Sequence, residues 1–154
     1  MTDISGFAPS SPAPADRRPP RNAERLLARL ELPDAANELL SMATFLTGPD
    51  GPIRQLADTG LPSPWHERVL HKAAERVVVL DHFLRGRVAF FVAGRGQGYG
   101  VFDEELEVAG AALDTCRAVT AVVEDLCDGE LPSVPKIRRL GDSAARVCAA
   151  LETL

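Results

Sequence analysis

Residues 63–93 read SPWHERVLHKAAERVVVLDHFLRGRVAFFVA. Within this stretch Leu70, Ala73, Val77, Leu80, Leu84, Val88 and Phe91 recur at steps of three and four, the period of one face of an α-helix. Ser63-Pro64 in front is a start signal. The serine offers a side-chain oxygen to the first unpaired N–H groups, and proline in the first helical position sacrifices no hydrogen bond. The spacing predicts one helix over 63–93, about 45 Å long at the usual rise. A competing reading comes from Val88-Ala-Phe-Phe-Val-Ala93, which has β propensity and would pair as a hairpin with Tyr99-Gly-Val-Phe102 around the intervening glycines. The helix is preferred because the three-four spacing runs unbroken into the segment.

Outward from this helix the same period recurs. Ala36, Leu39, Leu40, Ala43 and Leu46 mark a helix over 34–47, with Asp34 as its cap and Gly48 as its stop. The turn Gly48-Pro-Asp-Gly-Pro52 follows, and Ile53 to Asp58 supply another turn or two of helix. Asp103 is expected to cap a helix over 103–128, striped by Leu106, Ala109, Leu113, Cys116, Thr120, Val123 and Cys127 and stopped by Asp128-Gly129. Ile137, Leu140, Ala144, Val147, Leu151 and Leu154 give the cleanest pattern, over 136–153. A short helix capped by Asn22, with Ala23, Leu26, Leu27 and Leu30 on one face, is expected to end at Pro33. The fold class is therefore all-α: an antiparallel bundle of four main helices plus a short N-terminal one. Residues 22–154 form the one domain expected, behind a Pro-rich tail over 1–21 that has too little apolar surface to order itself.

Charge divides the chain unevenly. Arg17, Arg18, Arg21, Arg25 and Arg29 against Asp3, Asp16 and Glu24 leave the first thirty residues at +2, so the rest carries −7 of the net −5. This arm is the one segment suited to nucleic acid or an acidic partner. Three cysteines at wide spacing form no Cys-x-x-Cys pair and fit a reducing compartment. The first residues lack a basic and apolar leader pattern, and the most apolar run is broken by Asp81, His82, Arg85 and Arg87. A cytoplasmic protein with no membrane contact is expected.

Few residues point to chemistry. The loop Gly94-Arg-Gly-Gln-Gly-Tyr-Gly100 lacks the Lys-Ser/Thr ending of a phosphate loop and the spacing of a dinucleotide fold, and the acids at Asp103 and beyond would repel phosphate. His71 and Glu75 stand one turn apart, the spacing that metal sites in bundles use. They lie about 40° apart in helical phase, with His82 about 20° from His71 but too far along the axis to share an ion. No matching pair appears on another helix, so no metal or other cofactor is expected. The cysteines lie on or beside apolar stripes and read as core.

His82-Phe-Leu84-Arg85-Gly86 is the sharpest local motif. It resembles the H-x-L-K-G core of histidine phosphotransfer domains, four-helix bundles that carry a phosphoryl group on an exposed histidine. The resemblance covers five residues, and Arg87, Phe90 and Phe91 depart from the family's preferences. It implies that His82 accepts the phosphoryl group, Arg85 pairs with its oxygens and Gly86 leaves room above the ring.

In the absence of a catalytic constellation, the reading is a non-enzymatic helical interaction or regulatory protein. It would act on a protein partner or as a homodimer. A phosphocarrier centred on His82, and a small-molecule or metal-binding bundle, are the alternatives.

Overall fold

The computed structural model describes residues 30–96 and 103–154. The Pro-rich tail, the arginine cluster, nearly all of the short helix expected over 22–30, and Tyr99-Gly-Val-Phe102 lie outside the described residues. The described chain is built from α1 (Leu32–Thr47), α2 (Pro52–Thr59), α3 (Pro64–Gly96), α4 (Asp103–Cys127) and α5 (Val134–Leu151). It contains no strand among the described residues, and Val88–Ala93 is helical throughout. The fold is an all-α helical bundle.

Each boundary has a local cause. The Ser63 hydroxyl accepts from the His66 N–H at 3.0 Å, which caps α3 as its sequence predicts. α4 ends where Gly129 adopts a left-handed φ of 76°, with the Gly129 N–H on the Leu126 carbonyl and the Glu130 N–H on that of Asp125. Two starts differ from expectation. α1 begins at Leu32, with Glu31 at its cap position making no side-chain bond, so Pro33 opens this helix and Asp34 sits inside its first turn. Proline costs nothing there, because the first-turn N–H groups have no partner within the helix. For the same reason α5 starts at Val134, with Pro135 in its first turn and Ser133 as its cap.

α4 is the hub. It packs against α3, α5 and α1. Val108, Ala112, Thr115, Cys116, Val119, Val122 and Val123 are all buried, so this helix has far more than a single apolar stripe. Its alanines let the neighbouring backbones approach closely, and the Thr115 hydroxyl is satisfied within the helix by the Ala111 carbonyl at 2.9 Å. α3 contributes Leu70, Val77, Leu80, Leu84 and Phe91 to the same core, α5 contributes Leu140 and Val147, and α1 contributes Leu39 and Leu46. A fully buried leucine contributes roughly 2 kcal/mol through apolar area alone. The core is therefore carried by side chains from all four long helices.

Three expectations about burial are corrected. Cys127 and Cys148 are exposed, and so is Leu154. Cys127 is the last residue of α4. Cys148 lies on the flank of α5, outside the stripe formed by Leu140, Val147 and Ala150. Leu154 follows the last turn of α5. No helix among the described residues is long and apolar enough to cross a membrane.

Candidate functional site

α3 turns one face to the core and the other to solvent, and this phase places every histidine. His71, Glu75, Val78, His82 and Arg85 follow one another at helical spacing on the solvent side, and all five are exposed. Gly86 lies one turn beyond His82, and a Cβ built on it would meet nothing within 4 Å. The sequence motif thus forms an open surface: an accessible imidazole with unoccupied space beside it. Arg85 is next to this space, but its guanidinium is held by the Asp81 carboxylate one turn back, at 2.8 Å. Arg85 is mostly solvated, so the contact is weak and the side chain can leave it.

His71 and Glu75 share the solvent face but draw in no further ligands. His71 lines a small cleft of about 90 Å³ with Glu67 and Cys127. No group of three or more His, Cys, Asp or Glu among the described residues can hold a metal ion. Desolvation by the surrounding chain and then the neighbouring Asp128 push the Cys127 thiol above its ordinary pKa, which disfavours the thiolate. Cys116 is buried against α3, where its Sγ–H donates to the Val77 carbonyl at 3.5 Å. Burial, reinforced by the Asp81 charge, pushes its pKa up to about 12.

His66 has a role that sequence reasoning missed. It is buried, with the Asp50 carbonyl oxygen 3.0 Å from Nε2 and the Gln55 side-chain oxygen within hydrogen-bond reach of Nδ1. The Gln55 oxygen also accepts from the Ser63 N–H at 2.8 Å. Phe45 and Trp65 meet the imidazole edge-on and tilted, with ring centroids 5.8 and 5.1 Å away. His66 therefore ties the turn after α1, the helix α2 and the start of α3 together. A signal existed in the sequence: position 66 is four residues before Leu70, on the core side of the stripe.

Two open grooves flank α3. One, of about 440 Å³, lies against α1 and is floored by Met42, Phe45, Trp65, Val69 and Ala73. The Glu38–Arg76 pair at its margin is two-pronged, and this contact holds the Arg76 pKa above its ordinary value. The two charges satisfy each other, and Ser41 and Lys72 supply the rest of the groove's polar lining. The other, of about 420 Å³, lies between α3 and α4 and is charged at its ends. No protein-family model, curated protein or solved structure matches this chain.

Proposed function

We propose that this chain is a non-enzymatic helical interaction protein that engages a protein partner through the C-terminal half of α3. One observation carries the reading. Among the residues of α3 beyond Arg85 whose side chains are described, the exposed ones are Gly86, Ala89, Phe90, Val92 and Ala93, none charged or polar, while the half-buried Arg87 lays its guanidinium over the Phe83 ring. Phe90 is 56% exposed and Val92 52%. A helix face that meets only water normally carries charge, and a run of exposed apolar positions marks a contact surface. The test is a photo-crosslinking residue placed at Val92, with a control at Ala145, an exposed position on α5. In extracts of the native host, Val92 should give a discrete protein adduct that the Ala145 control lacks. Equal labelling at both positions, or none at Val92, overturns the reading.

A second reading has its own support. His82 is exposed and the space beside Gly86 is open, the two conditions a phosphoryl-accepting histidine requires. On this reading, a phosphorylated receiver domain transfers its phosphoryl group to a His82 ring nitrogen, and Arg85 leaves Asp81 to pair with the new oxygens. Incubation with such a donor should leave an acid-labile phosphate on the protein. His82→Gln should abolish it without loss of stability, and Gly86→Leu should block transfer by crowding the ring. Label that persists in the His82→Gln protein places the phosphate elsewhere and ends this reading.

A further inference from the structure

The groove between α3 and α4 has a floor of small and apolar side chains, among them Val78 and Ala121, and Val78 is 68% exposed. Its charges are arranged with a sense. Arg117 and Glu124 are seven residues apart on the outward edge of α4, about 10 Å along the helix axis. Asp81 and Arg85 neutralise each other across one turn of α3. Each of the other basic side chains held in an ion pair among the described residues (Arg54, Arg76, Lys136 and Arg146) has its partner elsewhere. Arg117 and Glu124 have no ion-pair partner among the described residues. The groove therefore carries one net positive charge toward one end, one net negative charge toward the other, and apolar surface between them.

We propose that the occupant is a second copy of this chain, docked groove to groove about a two-fold axis. The midpoint between Arg117 and Glu124 falls between Thr120 and Ala121, two small residues that permit close approach of the α4 backbones. An axis through that point sets Arg117 of each copy against Glu124 of the other. Each of these charges gains one partner, which makes two ion pairs across the axis, and Val78 of each copy is covered. Any other protein would need an acid and a base at the same separation in the opposite sense. A second copy supplies them by construction. The dimer goes beyond the proposed partner face, which lies further along α3, and it is read by a different measurement.

Sedimentation velocity of the full chain tests it, with circular dichroism as the check on folding. The wild type should show a monomer–dimer equilibrium that weakens as salt rises, because the pairs sit at a solvated rim. Arg117→Glu and Glu124→Arg each turn two attractive contacts into two repulsive ones. Each should weaken self-association by about tenfold or more and leave the helical spectrum unchanged. Mixed in equal amounts, the two variants should associate with each other, since the acidic groove of one then faces the basic groove of the other. Three results overturn the proposal. They are a wild type that stays monomeric at every concentration, which gives the groove to a different protein; a dimer that both reversals leave intact; and single variants that fail to pair when mixed.

Discussion

At the scale of single residues, the same residue type has opposite consequences at different places. Gly51 follows the turn after α1, where a Cβ would collide with the Phe45 carbonyl oxygen, a backbone atom that cannot move cheaply. Gly86 lies mid-helix with open space around it. Gly51→Ala should therefore destabilise the protein by about 2 kcal/mol or more. Gly86→Ala should stabilise it by up to about 1 kcal/mol, through helix propensity alone. Denaturant midpoints of the two variants check both signs. The cysteines divide in the same way. At about pH 8 a maleimide should label Cys127 and Cys148 in the folded chain and reach Cys116 only after unfolding, because the buried thiol is both inaccessible and held protonated. The pKa of Cys116 is raised from 9.0 to about 12. Its contribution to stability is thus fully present below pH 9 and is lost as pH rises through about 12. Cys116→Ala removes that titration, so its stability should fall less than that of the wild type across this alkaline window. Rapid labelling of native Cys116, or an unchanged alkaline profile in Cys116→Ala, contradicts the assignment.

At the scale of elements, much was legible because helices announce themselves by period. The continuity of the stripe from Leu70 to Phe91 was enough to choose helix over hairpin for Val88–Ala93. Helix starts were less legible, since Pro33 read as the end of the preceding helix and the last helix was expected only from residue 136, although Pro33 and Pro135 both sit in first turns, where proline is harmless. The hub role of α4 was also hidden. Buried alanines give a weak periodic signal, and a helix buried on most sides has no polar face to contrast with its stripe. The element most dependent on a single residue is α2, eight residues held through Gln55 and the His66 ring. His66→Ala should leave the Asp50 carbonyl and the Gln55 side chain short of partners and cost about 2 kcal/mol, concentrated in this corner of the fold. Amide exchange should accelerate over 51–63 before it does in α4. Uniform loss across the molecule would show that His66 supports the whole core instead. α5, by contrast, belongs to the main core, since Leu140 is fully buried. Leu140→Asp should cost several kcal/mol and unfold a marginal domain, as read by circular dichroism.

At the scale of the whole molecule, the candidate site was legible only as far as its geometry. The helical phase placed His82 and Gly86 on the solvent side, and both are there. What the sequence could not reveal was that Arg117 and Glu124 share a groove with α3, because that depends on how two helices pair. The same limit applies to the basic arm, which has the opposite net charge to the body that follows it. Composition alone supports one expectation about the chain ahead of the bundle. Residues 1–21 hold five prolines and few large apolar side chains, so burying them could not repay the entropy of fixing them, about 1 to 2 kcal/mol per residue. The core formed by α1, α3, α4 and α5 is also contiguous without them. Deleting residues 1–21 should shift the melting temperature by less than about 4 °C, corresponding to roughly 1 kcal/mol. The deletion should also leave the Arg117–Glu124 association unchanged, because neither charge lies on the arm. A larger drop in melting temperature would mean that the arm packs on the body, and the acidic surface of the bundle would then have its partner within the same chain.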